Sequence, residues 1–172
     1  MTSGISEIAR VNGSLWSFSL EAYANEAVQD ACLNLQDRHG LDVNILLLCC
    51  WLALRHKRID GAGFDVVLAD TTEWQCNIVV PLRRIRRHIK SAVGLILNGD
   101  SEVLRARIKS LELEAERIEQ QQLEFTVLHK MELVSDGRDC SLLAISNLEA
   151  YFVALQIEPN KWDLQDLKIL SE

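Results

Sequence analysis

Apolar residues recur at helical spacing through most of the chain. The segment between Asn25 and Gly40 shows this most clearly, because its apolar residues follow the i, i+3, i+4, i+7 pattern of one buried helix face. These residues are Val28, Ala31, Cys32 and Leu35. The pattern predicts an amphipathic helix there, with Asn25 as its N-cap and Gly40 as its C-terminal stop.

Similar signals delimit the neighbouring helices. Ser14 is a suitable N-cap for a first helix that ends near Ala24, and Asp42 can cap a third helix that runs to about Lys57. This third helix is apolar on nearly all sides, which predicts that it lies at the centre of a bundle. A turn at 60–63 separates it from a fourth helix, and Pro81 marks a kink or the first position of a fifth.

A longer helix is predicted from about Ser101 to Val134. Its seam positions alternate spacings of four and three, as in a heptad repeat, and all but the polar Gln122 are apolar: Leu104, Ile108, Leu111, Ala115, Ile118, Gln122 and Phe125. The seam fits either packing within the chain or contact with a second helix from another molecule. Beyond Gly137, Ser146 and Glu149 form a capping-box pattern for a last helix that Pro159 ends. The apolar residues of the tail at 160–172 predict that it docks on the bundle.

Composition agrees with a helical fold. Of 172 residues 48% are hydrophobic, and the chain has only 8 glycines and 2 prolines, so long elements with few turns are expected. We therefore predict an all-α bundle of six or seven helices that includes one long heptad-patterned helix. Residues 1–13 are predicted to be a flexible leader and 14–99 a compact bundle. Residues 100–172 add the long helix, a return helix and the docked tail, in one domain with 14–99.

The net charge and the cysteine content argue against several classes of function. A formal net charge of -7 argues against general nucleic-acid coating, which depends on phosphate neutralisation. The 5 cysteines lack zinc or disulfide spacing. Cys32, Cys49 and Cys50 lie in apolar stretches, so we expect them to be buried, reduced thiols. The N-terminus lacks a signal pattern and the most apolar run, 43–54, is too short to cross a bilayer. A cytoplasmic protein without metal, cofactor or membrane attachment is expected.

Six polar residues surround the turn at Gly40: Gln36, Asp37, Arg38, His39, Asp42 and Asn44. A carboxylate and an imidazole at such a turn could serve acid–base chemistry or hold a ligand. Helix capping is the simpler explanation. Asp42 would cap the third helix, and Arg38 and His39 would complement the end of the second.

A basic face is predicted on the fifth helix. It consists of Arg83, Arg84, Arg86, Arg87 and Lys90. The stretch 83–109 has a net charge of +6, whereas 110–136 has a net charge of -5. The basic face could bind an acidic protein partner or, less in keeping with the lack of aromatic residues, nucleic acid. The simpler explanation is that it pairs with the acidic long helix of the same chain.

Three segments resemble a known family. The first is LWSFSLEAY at 15–23. The second contains ACL at 31–33, LQDRHG at 35–40 and DVN at 42–44. The third is PLRRIRR at 81–87. Together they resemble a family of small proteobacterial proteins of unknown function. The resemblance implies a bacterial cytosolic protein and brings no activity or catalytic residue with it.

The expected function is non-enzymatic binding. The protein would act as a cytosolic adaptor through the basic face, the long helix or both, with a protein partner and with homodimerisation through the long helix as one option. The alternative is an enzyme or small-ligand binder that uses a polar pocket around Asp37, His39 and Asp42.

Overall fold

A computed structural model describes residues 13–91 and 100–172 and confirms the all-α prediction. The helices are α1 (Leu15–Tyr23), α2 (Glu26–His39), α3 (Val43–Leu54), α4 (Gly61–Trp74), α5 (Val80–Ser91), α6 (Asp100–His129), α7 (Cys140–Ala154) and α8 (Lys161–Ser171). A π-helical segment, Gln75–Val79, joins α4 to α5 without a break. The predicted leader, apart from Gly13, and the turn at Asn98 and Gly99 lie outside the described residues.

The first three helices begin where their capping residues predict. The side chains of Ser14, Asn25 and Asp42 each accept a hydrogen bond from a backbone amide in the first turn of α1, α2 and α3. Gly40 ends α2 with φ of 70°, a left-handed conformation that glycine adopts without steric cost. Local sequence signals therefore fix this part of the fold.

Helix α3 is the centre of the bundle, as predicted. Ten of its 12 residues are buried, and it packs against α1, α2, α6 and α7. Trp51 is almost fully buried, and the Arg55 guanidinium lies 3.8 Å above its ring. Because α3 is apolar on nearly all sides, it can support helices around most of its circumference.

Helices α5 and α6 pack as antiparallel neighbours. Arg83 contacts Glu116 near the start of α5, and Arg86 contacts Glu112 one turn further on. The residue numbers run in opposite directions along the two helices, which fixes their relative orientation. Pro81 lies in the first turn of α5 after the π-helical segment, so the helix continues through it.

The second half departs from prediction at two boundaries. Helix α6 ends at His129 rather than near Val134, because β2 (Val134–Ser135) pairs antiparallel with β1 (Lys57–Arg58). Helix α7 begins at Cys140 with Asp139 as its N-cap, so Ser146 lies inside the helix and the predicted cap there is wrong. The short strand pair fixes the loop after α6 against the end of α3.

The C-terminal tail docks, and it does so as a helix. Asn160 and Asp163 form a capping box at the start of α8, while Leu167 and Leu170 are buried. The helix packs on α2 and α7. Trp162 projects outward with 58% of its surface exposed. No helix in the described ranges is long and apolar enough to span a membrane.

Candidate ligand-binding cavity

Two of the residues predicted at the polar turn hold the C-terminal helix. Arg38 donates to both Asp163 and Asp166, with its Nε 2.8 Å from Asp163 Oδ1. His39 Nε2 lies 2.9 Å from Asp163 Oδ2. Burial alone would raise the pKa of Asp163, yet hydrogen bonds from the Asn160 amide, His39 and Arg38 hold it below its usual value. This cluster anchors α8 to the end of α2.

Asp37 faces the opposite way. Its carboxylate lies 3.1 Å from the guanidinium of Arg87, and both side chains are more than half exposed. Asp42 is different again, because it is buried at the start of α3, where its carboxylate caps the Asn44 amide at 2.9 Å. Asp37, His39 and Asp42 thus have separate partners and do not share a pocket. Such an arrangement does not favour an acid–base centre built on these three residues.

Asp42 belongs to a buried acid pair. Its carboxyl lies close enough to that of Glu119 from α6 for the two groups to interact. Burial raises the pKa of both carboxyls, and the proximity of Asp42 raises that of Glu119 further, so the pair retains a proton at neutral pH. Asn44 Nδ2 donates to Glu119 at 2.7 Å, and Gln120 Nε2 donates to Asn44 Oδ1 at 2.8 Å. A chain of hydrogen bonds therefore runs from the acid pair to Gln120.

Gln120 and Asn44 lie in the wall of a partly open cavity of about 410 Å³. Side chains from five helices line it. Helices α1 and α2 contribute Trp16, Ser19, Leu20, Tyr23, Gln29, Leu33 and Gln36. Helix α3 contributes Val43, Asn44 and Leu47. Helices α5 and α6 contribute Arg83, Arg86, Arg87, Lys109, Glu112, Leu113, Glu116 and Gln120.

The cavity unites members of the two predicted constellations. Gln36 and Asn44 come from the polar turn, and Arg83, Arg86 and Arg87 come from the basic face. The remaining members of both sets point elsewhere. The volume falls within the range of about 300–1,000 Å³ that is typical of small-molecule sites.

Three buried polar atoms in this wall lack a hydrogen-bond partner. They are Ser19 Oγ, Gln36 Nε2 and Gln120 Oε1. Ser19 and Gln120 are only 4% and 2% exposed. A buried polar group without a partner costs about 1–3 kcal/mol, so these side chains would gain hydrogen bonds by turning toward a molecule bound in the cavity.

The basic face is divided between internal pairing and solvent. Arg83 donates to Glu112 and Glu116 at 3.2 and 2.8 Å, and Arg86 also binds Glu112. These contacts are the predicted pairing of the basic helix with the acidic long helix. Among the ion pairs of the described residues none involves Arg84 or Lys90, which are exposed. His88 is exposed but makes an interaction of its own.

The heptad seam of α6 is only half buried. Ile108 and Ala115 face the bundle, whereas a row of four apolar residues spaced seven apart is about 40–55% exposed. This exposed row consists of Leu104, Leu111, Ile118 and Phe125. In its place Glu112, Glu119, Gln120 and Thr126 turn inward. The side of α6 that is buried therefore includes polar residues, and one apolar row of the helix remains exposed.

Sequence reasoning missed Ser19, Glu112, Glu119 and Gln120 as site residues. A weak signal existed, because Glu112 and Glu119 are seven apart and therefore lie on one side of α6. Within the described ranges no cluster of three or more metal-ligating residues forms.

Comparison with known proteins gives a family without an assigned activity. A family model described as a protein of unknown function, DUF2390, matches residues 14–123. No curated protein and no solved structure matches the chain. The matched segment includes α1 to α5 and most of α6, and hence all the helices that line the cavity. Because the match covers well over half of the 172 residues, the chain belongs to this family of proteins of unknown function.

Proposed function

We propose that the protein binds a small molecule in the cavity between α1, α2, α3, α5 and α6. The observation that carries this proposal is the set of three unpartnered buried polar atoms on Ser19, Gln36 and Gln120. A binding site of this kind combines apolar walls with a few fixed polar groups. Following the sequence resemblance, we place this role in the cytosol of a bacterium.

Blocking the cavity tests the proposal. Leu113 lies in the cavity wall with 48% of its surface exposed, so Leu113→Trp should obstruct the opening of the cavity without disturbing the core. Leu142 is 58% exposed on α7 and lies outside the cavity, which makes Leu142→Trp the matched control. Ligand-observed NMR with a mixed metabolite library should find compounds that bind the wild type and Leu142→Trp but not Leu113→Trp. A library in which no compound distinguishes the two variants would contradict the proposal.

A second function, association with a protein partner, is favoured by the exposed row on α6. Leu104, Leu111, Ile118 and Phe125 repeat every seven residues, the spacing with which one helix meets another in a coiled coil. We propose a second copy of the chain as the partner. The exposed Arg84 and Lys90 of the basic face remain the candidate contacts for an acidic protein.

Self-association is measurable with purified protein. Light scattering after size exclusion should show a concentration-dependent dimer for the wild type. Leu111→Glu should give a monomer, while Leu142→Glu, an equally exposed leucine on another helix, should behave as the wild type does. A wild type that stays monomeric at high concentration would rule out the second copy as partner.

A further inference from the structure

We infer that the ligand of the cavity is an amphiphilic anion whose chain carries an amide or hydroxyl group next to its charged end. This inference rests on the proposed small-molecule function and adds the chemical class. Three features of the cavity carry it: a surplus of positive charge, buried hydrogen-bonding atoms of both kinds, and apolar walls.

The charge surplus is located at two residues. Four cations and two carboxylates line the cavity. Glu112 and Glu116 are already neutralised by the ion pairs with Arg83 and Arg86. The cations that remain for a ligand are Lys109 and Arg87, and among the described residues the only carboxylate paired with Arg87 is that of the exposed Asp37.

Both residues are available to a ligand. Lys109 is exposed and takes part in no ion pair among the described residues. Arg87 pairs with Asp37, but the two side chains are 54% and 61% exposed, and an exposed pair contributes only up to about 1 kcal/mol. A ligand anion can therefore displace Asp37 at little cost. Burial raises the pKa of Glu116, and any protonation of that carboxyl would increase the positive surplus.

The buried polar atoms specify a neutral group deeper in the cavity. Gln36 Nε2 is a donor without an acceptor, and Gln120 Oε1 is an acceptor without a donor. A group that both donates and accepts, such as a secondary amide or a hydroxyl, can pair with either of these side chains. The hydroxyl of Ser19 can act as a hydrogen-bond donor or as an acceptor. A plain hydrocarbon chain would leave all three atoms unpaired.

Burial orders these features along the cavity. Leu20, Leu113 and Arg87 are about half exposed or more and stand at the opening, whereas Ser19, Asn44 and Gln120 are almost fully buried. Apolar side chains from α1, α2 and α3 fill the wall between, among them Trp16, Leu33 and Leu47. A ligand of the inferred class places its anionic group at the opening and its amide and short acyl chain inside.

N-octanoylglycine combines the required groups and serves as the probe. N-octanoylglycinamide differs by the loss of the charge, and octanoate by the loss of the glycyl unit and hence of the amide. In isothermal titration calorimetry at low salt, the acid should bind wild-type protein at least 10-fold more tightly than either analogue. Raising the salt concentration should reduce its advantage over the neutral glycinamide, because the contacts at the opening are exposed.

Two double variants locate the charge preference. Arg87→Gln with Lys109→Gln should reduce the advantage of the acid over the glycinamide to less than 3-fold. Arg84→Gln with Lys90→Gln removes two cations from exposed positions outside the cavity and should leave the advantage unchanged. A loss of preference in both double variants would show a diffuse field effect and overturn the assignment to Arg87 and Lys109.

The result also separates this inference from the proposed function. If the acid and the glycinamide bind equally and Leu113→Trp abolishes both, the cavity binds ligands but the anionic class is wrong. If octanoate binds as tightly as N-octanoylglycine, the inferred amide contact is wrong. If none of the probes binds while library compounds still depend on Leu113, the class fails and the small-molecule function stands.

Discussion

Replacing Glu119 with glutamine removes a buried titrating group and keeps its shape. Glu119 is 1% exposed, accepts a hydrogen bond from Asn44 at 2.7 Å and interacts with the neighbouring carboxyl of Asp42. Burial and the neighbouring carboxyl raise its pKa, so the folded protein keeps a proton that the unfolded chain releases above about pH 4.3. Glutamine can accept from Asn44 and donate to Asp42 without holding that proton.

The sign and size of the effect follow from this proton. A raised folded-state pKa contributes stability that is fully present below the unfolded pKa and is lost as pH rises. While the folded state holds one additional proton, the free energy of unfolding falls by about 1.4 kcal/mol per pH unit. As the pH rises from 5.5 to 7.5, the free energy of unfolding of Glu119→Gln should therefore increase by about 2.7 kcal/mol relative to that of the wild type.

Urea unfolding at fixed temperature, followed by circular dichroism, measures this difference at each pH. Glu114→Gln is the matched control, since Glu114 lies on the same helix, is exposed and pairs with Arg117 at 3.7 Å. Its stability should follow that of the wild type at every pH. If the free energies of unfolding of Glu119→Gln and the wild type change in parallel with pH, Glu119 is ionised when buried. That result would refute the conclusion that the acid pair retains a proton.

Two further predictions follow from contacts of the described residues. Arg38→Ala should lower the free energy of unfolding by about 2–4 kcal/mol in urea, because it leaves the fully buried Asp163 without its guanidinium; Arg58→Ala, at an exposed position, should stay within about 0.5 kcal/mol of the wild type. Alkylation of the native protein, followed by mass spectrometry, should modify the exposed Cys76 rapidly and the three buried thiols at 32, 49 and 50 slowly, since burial also raises their pKa values. Rapid stoichiometric labelling of any buried thiol would contradict the packing around α3.

Local signals were enough to predict the N-terminal half. Capping by Ser14, Asn25 and Asp42 involves residues two or three positions apart, and a single sequence displays that spacing directly. The start of α7 was mispredicted because Asp139 and Ser146 are both plausible caps. Packing decides between them, since Leu143 and Ala144, which precede Ser146, are buried as part of the helix.

The site was harder to predict because its contacts join distant residues. Asp42 could be identified as a cap, but its partner Glu119 lies 77 positions away, and no spacing rule connects the two. The heptad pattern of α6 was equally ambiguous. It identified the apolar rows correctly, yet periodicity alone cannot tell which row faces the core, and Leu111 and Ile118 proved to be outside while Glu112 and Glu119 are inside.

The charge reversal between α5 and α6 has two consequences rather than one. Internal pairing and partner binding were alternatives at the level of the sequence, because a cation held in an ion pair within the chain is less available to a partner. The structure assigns the cations individually: Arg83 and Arg86 bind the carboxylates of α6, while Arg87 and Lys109 remain at the opening of the cavity. The internal pairs hold the two helices in register beside the cavity, so the same pattern that orients α5 on α6 also places the remaining positive charge where an anionic ligand would enter.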